Sequence, residues 1–326
     1  MAQNPQHPRQ IVDVGVIGSI NEDTIEHEDG RIDSRLGGVL FTACALGYLG
    51  AGALRVWLLS RAHSRLRLSL QQQLVHVPGL RLEGLLETPF PGYRCHITYD
   101  SDGEKTEVLS GNVEPLTLDD LAPFLPRLQA LAVNFITGYE ISCEDLAAVR
   151  DIVDGPLFMD VHSLTLGRHA DGTRFPAPLA NADKWIAAAD VVQMNEAEAR
   201  ILGAPGEDAG APTDGPAPTT SAALLEWATG LLEWGPKAVV ITRGASGAVS
   251  AWRDADGRTG HVEQEAPTVA GERLDTTGCG DVFLAALVAA HFRGEQLPAA
   301  IERANHVAAW NCQLSGIDEL HRLPLE

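Results

Sequence analysis

The residues whose types and spacing most directly suggest chemistry lie at 275–281, in the segment Asp-Thr-Thr-Gly-Cys-Gly-Asp. An apolar run from Val282 to Ala290 follows at once and predicts a buried helix that begins at this segment. The first N–H groups of a helix lack intrahelical partners and carry a partial positive charge, so a helix start attracts anions. Gly278 and Gly280 present no side chain that would keep a phosphate away. A carboxylate at Asp281 suits such a site if it accepts a proton from an attacking hydroxyl.

This segment resembles the carboxyl-terminal signature of the ribokinase-like (PfkB) sugar and nucleoside kinases, which is usually Asp-Thr-x-Gly-Ala-Gly-Asp before a helix. The resemblance implies an anion hole at Gly278, Cys279 and Gly280 and a catalytic base at Asp281. Cys279 stands where the family usually has Ala. One alternative is a strand-to-helix turn capped by threonine, and a weaker one is a dinucleotide fingerprint, which lacks its third glycine here and belongs near the start of a domain.

A second group of polar residues follows the first predicted strand. The run from Ile11 to Ile17 is apolar, and Gly-Ser-Ile-Asn-Glu-Asp follows it at 18–23. Open α/β sheets bind ligands at the carboxyl ends of their strands. The segment is similar to the opening motif of the same family, which implies that Asp23, with Asn21 beside it, binds the hydroxyl groups of the acceptor. An ordinary Asn/Asp turn is the alternative.

Gly37 and Gly38 open a helix-like stretch that is similar to the Gly-Gly signature of the family, which implies that these glycines line the substrate site. The family typically has an Asn a few residues later, where this chain has Val-Leu-Phe-Thr at 39–42. The Gly-x-Asp-x-x-Gly motif expected after the next strand is also absent, since Leu-Leu-Ser-Arg-Ala-His occupies 58–63. Every buried hydroxyl of a small polyol needs a partner, so these changes disfavour ribose as the acceptor.

Two predicted turns on the other side of the sheet resemble the nucleotide-binding motifs of the family. Asn195 and Glu198 match its Asn-x-x-Glu motif, which implies that they organise Mg²⁺ and the phosphates of ATP, largely through water. The same pair also fits a capping box at a helix start, and both interpretations can hold.

Thr242, Gly244 and Gly247 match the Thr-x-Gly-x-x-Gly turn of the family, where glycines let backbone amides approach phosphate; a tight hairpin is the alternative. Asn305 lies on a helix that borders the adenine pocket in the family. Asp275 and Thr277 stand where some members bind K⁺, which makes them a candidate cation site. No Gly-x4-Gly-Lys-Ser/Thr motif occurs, so a P-loop kinase is excluded.

Strand and helix patterns alternate along the second half of the chain and must position these groups. The alternating segments lie at 131–136, 142–153, 157–161, 185–189, 191–194, 196–202 and 238–242, in the order strand, helix, strand. This alternation predicts a doubly wound, mainly parallel α/β sheet with helices on both faces. The Pro/Gly/Ala-rich segment at 203–220 is predicted to be a surface insertion within one domain of residues 1–326.

Two predicted hairpins interrupt this pattern, at about 24–35 and 93–110, each with an Asp-Gly turn. In the ribokinase-like family such a small sheet is the lid over the acceptor. The alternation leaves open which face points inward, that of Tyr93, Cys95 and Ile97 or that of residues 94, 96 and 98. An apolar lid face also predicts a second subunit, so we expect a homodimer.

The composition limits the classes of partner. A formal net charge of −20, from 44 acidic and 24 basic residues, disfavours binding to nucleic acid or to anionic membranes. The five cysteines are scattered without a Cys-x-x-Cys pair, which favours reduced thiols and a cytoplasmic location. The longest apolar stretch, Val39 to Leu54, is interrupted and falls short of the roughly 18 clean apolar residues of a membrane helix.

Together these patterns predict an ATP- and Mg²⁺-dependent kinase that phosphorylates a hydroxyl, specifically a hydroxymethyl group, of a sugar. A nucleoside kinase of the same fold is the first alternative. A catalytically inactive protein that senses a sugar or nucleoside is the second, favoured by the altered residues at 39–42 and opposed by the intact Asp281.

Overall fold

The computed structural model describes residues 11–26, 30–99, 105–204, 220–269 and 275–325. The strands in chain order are β1 (Val12–Ile17), β2 (Ile20–Glu26), β3 (Ile32–Gly38), β4 (Leu54–Ala62), β5 (Leu80–Arg81), β6 (Leu85–Glu87), β7 (Gly92–Tyr99), β8 (Lys105–Asn112), β9 (Ala130–Asn134), β10 (Leu157–Asp160), β11 (Leu166–Arg168), β12 (Arg174–Pro176), β13 (Val191–Asn195), β14 (Ala238–Thr242), β15 (Ala248–Arg253) and β16 (Thr259–Gln264). The helices are α1 (Val39–Leu49), α2 (Ser64–Gln73), α3 (Leu118–Leu121), α4 (Cys143–Ile152), α5 (Ala182–Ala187), α6 (Glu196–Ile201), α7 (Ser221–Leu231), α8 (Cys279–Phe292) and α9 (Leu297–Asn311).

The central sheet has the strand order β16-β15-β14-β13-β10-β9-β1-β4-β5, with β6 also beside β4. The pairings from β14 to β5 are parallel, and only β15 and β16 are antiparallel. The order runs outward in both directions from β1, since β1 lies between β9 and β4. The predicted doubly wound, mainly parallel sheet is therefore confirmed.

Alternate side chains of the sheet face two apolar layers. Val14 and Val16 of β1 join a cluster that contains residues of α1, α8 and α9. Ile17 joins a second cluster that contains residues of α4, α5 and α7. Each face of the sheet is thus covered by helices, which explains why its parallel strands are apolar on both sides.

Helices α1 and α8 lie inside the first layer. Every residue of α1 is buried, and so are the ten residues from Asp281 to Ala290 of α8. A helix that is apolar on all sides is stable only when it is surrounded, as here. The buried helix predicted at 282–290 is confirmed. Among the residues that the structure describes, no helix is both long and apolar enough to cross a membrane.

A separate four-stranded sheet has the order β3-β2-β7-β8. The two hairpins are antiparallel, and β2 and β7 pair in parallel between them, so the predicted hairpins do form one sheet. Their strands extend beyond the predicted limits, because β2 begins at Ile20 and β3 continues to Gly38. Most of each Asp-Gly turn, at Asp29 and at Asp102 and Gly103, lies outside the described residues.

The inward face of this small sheet is the apolar one. Tyr93, Cys95 and Ile97 are buried, and Ile25 of the neighbouring strand packs with them. Residues 94 and 96 point outward and are exposed. The face that the sequence left open is therefore that of Tyr93.

The predicted segment at 185–189 is helical, as its place between two strands of the alternation indicates. It belongs to α5 and the turn that follows it. Ile186 is buried and the ring of Trp185 packs edge-on against Phe135, with centroids 5.2 Å apart. So short an apolar run fits a helix and a strand equally well, and the tertiary contacts decide. Of the insertion predicted at 203–220, residues 205–219 are not among the residues that the structure describes. The single-domain organisation stays a prediction.

Candidate active site

The start of α8 is shaped by Gly278. This residue has φ +75°, and a Cβ built on it would lie 2.4 Å from Cδ1 of Phe41, so only glycine fits. The N–H of Cys279 donates to the carbonyl of Thr276 at 3.2 Å, and the helical ladder begins with Val282 N–H to the Gly278 carbonyl at 2.9 Å. One of the predicted anion-hole amides, that of Cys279, is therefore engaged in the turn itself. The N–H of Gly280 precedes the ladder, as the anion-site interpretation requires.

Asp281 lies in the first turn of α8 with a buried side chain, 8% exposed. The amide Nδ2 of Asn134 donates to Asp281 Oδ1 at 2.5 Å and also to Thr42 Oγ1 at 2.8 Å. Asn134 ends β9 and Thr42 is in α1, so two elements orient the carboxylate. Asn134 is a site residue that the sequence did not reveal. Its only signal is a polar residue at the end of an otherwise apolar strand.

Gln193 and Asp160 complete the surroundings of the α8 start, and neither was predicted. The amide of Gln193 donates to the Gly280 carbonyl at 2.9 Å and to Asp160 Oδ2 at 3.1 Å. Burial raises the pKa of Asp160 well above its usual range, and the negative charges of Glu198 and Asp281 raise it further. Three carboxylates thus repel one another here, which favours the binding of a proton or a cation nearby.

The predicted substrate residues lie close to the predicted anion hole, with Phe41 between them. Asn21 and Asp23 are buried on the inward face of the small sheet. A Cβ built on Gly37 would lie 2.0 Å from Asp23 Oδ2 and 3.5 Å from Cε2 of Phe41. Since Phe41 also packs against Gly278, a single apolar ring joins the two halves of the site. Of the apolar residues at 39–41, this is the one in contact with both.

Gly38 closes the turn into α1. It has φ +64°, and a Cβ on it would lie 2.4 Å from the carbonyl oxygen of Ser19. A cavity beside this turn lies between the small sheet and the end of β1, and Tyr93, Tyr139 and Glu140 help to line it. The carboxylate of Glu140 accepts from two backbone N–H groups, and burial raises its pKa. Glu140 is a further buried acid that the sequence did not reveal.

Asn195 and Glu198 form the predicted capping box at the start of α6. The amide Nδ2 of Asn195 donates to Glu198 Oε1 at 2.6 Å, and its backbone N–H donates to Oε2 at 2.8 Å. Because both oxygens of Glu198 already accept hydrogen bonds, contact with Mg²⁺ through water suits this carboxylate better than direct coordination. Among the described residues, no group of three or more His, Cys, Asp or Glu is placed to hold a metal ion. A Mg²⁺ site at Asn195 and Glu198 stays a prediction.

The predicted nucleotide turn lies beside this box. Thr242 is the neighbour of Asn195 in the pairing of β14 with β13. Gly244 and Gly247 have φ of +54° and +87°, and the turn joins the antiparallel strands β14 and β15, so the hairpin interpretation is also correct. Arg243 is not free for phosphate, because it pairs with Glu196 and Glu263 and donates to Ser221.

Asn305 reaches the same turn through β16. Its amide donates to the carbonyl of Gln264 at 3.1 Å. A Cβ on Gly247 would lie 2.0 Å from that same carbonyl oxygen. The predicted nucleotide residues at 242–247 and 305 are thus brought together, although they are about 60 positions apart in the sequence.

The candidate K⁺ residues are already engaged with protein groups. Asp275 Oδ2 accepts from the guanidinium of Arg35 at 2.7 Å, and Asp275 Oδ1 accepts from the N–H of Thr277 at 2.9 Å. The carbonyl of Thr277 accepts from the Asn311 amide at 3.1 Å. A positive charge therefore already lies beside Asp275.

Two cysteines meet beside the α8 start. Cys279 Sγ lies 3.3 Å from Sγ of Cys312, the residue that follows α9. The hydrogen bond from Cys279 lowers the pKa of Cys312 to about 7 and raises the pKa of Cys279. This contact accompanies the one departure of the segment from the family signature.

Part of the chain matches the model of a known protein family. Residues 169–321 match the model of the pfkB family carbohydrate kinase. Mouse ribokinase is 33% identical over 162 residues, which are 48% of this chain and 45% of the ribokinase. The matched part thus spans less than half of that relative.

Solved structures share the fold over nearly the whole chain. A sulfate complex of a pyrophosphate-dependent kinase in the ribokinase family is 19% identical with a TM-score of 0.72, and the match covers 94% of this chain and 96% of the other. Ribokinase of Arabidopsis thaliana, complexed with ribose and ATP, is 18% identical with a TM-score of 0.72, and the match covers 97% and 96%. The fold is that of the ribokinase-like kinases. Within this fold, residues 169–321 are the part of the chain that is similar to the pfkB family of carbohydrate kinases.

Proposed function

We propose that this chain is a kinase that transfers a phosphoryl group from ATP to a hydroxyl of a sugar, with a hydroxymethyl group as the acceptor. The observation that carries the proposal is the buried carboxylate of Asp281 at the start of a buried helix, oriented by Asn134 at 2.5 Å. Phosphoryl transfer needs positioning, charge stabilisation and an oriented nucleophile. Asp281 takes the proton of the acceptor hydroxyl, and the glycine-flanked helix start at 278–280 holds developing negative charge.

The acceptor lies between the small sheet and the α8 start. Asp23 accepts hydrogen bonds from acceptor hydroxyls. Among the residues that the structure describes, Asn21 Oδ1 and Asn134 Oδ1 are buried acceptors without a hydrogen-bond partner. Buried amide oxygens favour ligands that donate, as hydroxyl groups do. The ring of Phe41 supplies an apolar wall, which favours an acceptor larger or less polar than ribose.

The nucleotide lies on the other side, over the turns at 242–247 and 195–198. The first turn offers glycine backbone to phosphate, and Asn305 supports it through Gln264. Mg²⁺, when bound with ATP, neutralises phosphate charge and is held through waters on Asn195 and Glu198. The chain's own contribution is to hold the Glu198 carboxylate in place through the capping box with Asn195.

Two alternatives remain, a kinase with another acceptor and a protein of another class. A nucleoside kinase keeps the same machinery and places a larger acceptor against Phe41. A sugar or nucleoside sensor binds without turnover and gains nothing from an oriented Asp281. The donor is also open to test, since one solved structure with this fold is a pyrophosphate-dependent kinase.

The deciding experiment is turnover of purified protein with ATP or pyrophosphate against a panel of pentoses, hexoses, cyclitols and nucleosides. We expect ATP-dependent phosphorylation of at least one acceptor and poor use of ribose. Efficient ribose phosphorylation, with kcat/KM of about 10⁴ M⁻¹s⁻¹ or more, would contradict the acceptor argument. Acceptor binding by calorimetry without any turnover would instead favour the sensor.

A homodimer through the small sheet stays a prediction, as does a cytoplasmic location. The apolar face of the small sheet is already covered within one chain, because Tyr93 and Ile97 are buried. The remaining support is β3, which ends the strand order and carries the exposed Ile32. Light scattering at micromolar concentration tests it, and a monomer would remove the proposal without affecting the kinase assignment.

A further inference from the structure

Cys279 and Cys312 lie closer together than their separation in sequence suggests. Their sulfur atoms are 3.3 Å apart, and both side chains are partly exposed. A disulfide bond is about 2.0 Å long, so the sulfurs need to approach by only about 1.3 Å. Cys279 is the first residue of α8 and Cys312 is the residue at which α9 ends.

The backbone around both residues holds the sulfurs face to face. The N–H of Asp275 donates to the carbonyl of Cys312 at 2.9 Å. The amide of Asn311 donates to the Thr277 carbonyl at 3.1 Å and to Cys279 Sγ at 3.5 Å. These contacts tie the turn before α8 to the end of α9 on both sides of the pair. The ordering that a disulfide needs is thus already present in the reduced protein.

We propose that Cys279 and Cys312 are a modification site at which a peroxide-class oxidant forms a disulfide across the start of α8. One thiolate attacks a peroxide oxygen, so that an S–O bond forms, the O–O bond breaks and hydroxide leaves. The second thiolate attacks the resulting sulfenic sulfur, so that the S–S bond forms, the S–O bond breaks and a second hydroxide leaves. The protons lost from the two thiols convert both hydroxides to water. Two thiols and one hydrogen peroxide thus give one disulfide and two waters.

The disulfide changes the site at the start of α8, a consequence that rests on the proposed function. Drawing Cys279 Sγ toward α9 displaces the first helical residue and removes its contact with Asn311. The amides at 278–280 move with it, and they are the ones assigned to negative charge in phosphoryl transfer. The oxidised protein is therefore a kinase with a misplaced anion hole, and a dithiol reductant restores it.

The first experiment detects the disulfide between Cys279 and Cys312 directly. Reduced protein is treated with hydrogen peroxide, the remaining thiols are alkylated, and intact mass and peptide mapping are measured. We expect a loss of two hydrogens and a linked peptide pair that contains Cys279 and Cys312. Cys312→Ser should abolish the linked pair, whereas Cys143→Ser, a matched change at another partly exposed cysteine, should leave it intact. Oxidation that yields only sulfinic acid or other linkages would overturn the proposal.

The second experiment measures turnover with the acceptor that the reduced enzyme phosphorylates. Oxidation should lower kcat at least about tenfold, because a displacement of about 1 Å at a catalytic site can cost up to a hundredfold. Cys312→Ser should keep wild-type turnover before and after peroxide. An oxidised enzyme with full turnover would overturn the assigned consequence. Absence of turnover in the reduced protein would instead count against the kinase proposal, since the bond is measured independently.

Discussion

Arg35 donates from its guanidinium to Asp275 Oδ2 at 2.7 Å, across 240 positions of the chain. The side chains are only 13% and 25% exposed, so the pair is largely shielded from solvent. It connects β3 of the small sheet to the turn that precedes α8. The small sheet and the turn before α8 are therefore joined by one ion pair, and the charge of Asp275 is compensated by a protein group.

From this ion pair we predict a kinase that does not require K⁺. A cation beside Asp275 would meet the fixed positive charge of Arg35 and be repelled by it. Replacing K⁺ by tetramethylammonium at constant ionic strength should leave kcat/KM unchanged. Strong activation by K⁺ over Na⁺ would contradict this and would return Asp275 and Thr277 to the role of cation ligands.

Arg35→Gln should destabilise the protein. Loss of the charged hydrogen bond leaves Asp275 partly buried without its partner, at a cost of about 1–3 kcal/mol in the free energy of unfolding. Denaturant unfolding measures it. The matched control is Arg94→Gln on the outer face of the same sheet, where the pair with Glu22 is exposed and worth about 0–1 kcal/mol. Equal effects of the two changes would contradict the structural role of Arg35.

Asp281→Asn should lower kcat by about 10² to 10⁴, because an amide has the same size but cannot accept the proton of the acceptor. The affinity for ATP, measured by calorimetry, should hold or tighten, since a negative charge near phosphate is removed. Wild-type turnover in the variant would remove Asp281 from the mechanism and favour the interpretation of the segment as a turn.

Asn134→Leu should lower kcat by up to about a hundredfold, because the carboxylate of Asp281 then loses the donor that orients it. The comparison is Thr42→Val, which removes the other partner of Asn134 and leaves its bond to Asp281 in place. Steady-state kinetics separate the two. If Asn134 acts only through packing, both variants should change Tm while kcat stays near wild type.

The sequence predicts the elements of this fold well because their signals are local. Continuous apolar runs mark β1, β9, β10, β13, β14 and α8, and the two Asp-Gly turns mark the hairpins. The 185–189 run is too short to carry such a signal by itself, and its helix is also supported by contacts such as that of Trp185 with Phe135.

Contiguous motifs indicate candidate site residues, whereas residues that are brought together from distant strands have no such signal in the sequence. Asn134, Asp160 and Gln193 are single polar residues on apolar strands, and nothing local distinguishes them from residues of a turn. The contacts of Arg35 with Asp275 and of Cys279 with Cys312 depend on packing between elements, so residue types and spacing carry no trace of them. The sequence indicates Phe41 only as an apolar residue in place of a polar one, whereas its contact with Gly278 depends on the packing of α1 against α8.

The buried carboxyl of Asp160 should make the stability of the protein depend on pH. Burial and the charges of Glu198 and Asp281 raise the pKa of Asp160 in the folded protein. Between the ordinary aspartate pKa of about 3.9 and this raised value, the folded state binds more protons than the unfolded state, so this group lowers stability as pH rises. Above the raised pKa of Asp160, the full loss of folding stability remains.

Asp160→Asn should therefore raise Tm at neutral pH while keeping an oxygen that can accept from Gln193. The gain over wild type should vanish near pH 4, where both side chains are uncharged, and should grow as pH rises. Calorimetric scans of both proteins without nucleotide across this range measure it. Asp151→Asn, at an exposed position on α4, is the control and should show no such trend. A Tm for Asp160→Asn below that of wild type at every pH would show that the carboxyl is needed as a hydrogen-bonding group and that its charge carries no net penalty.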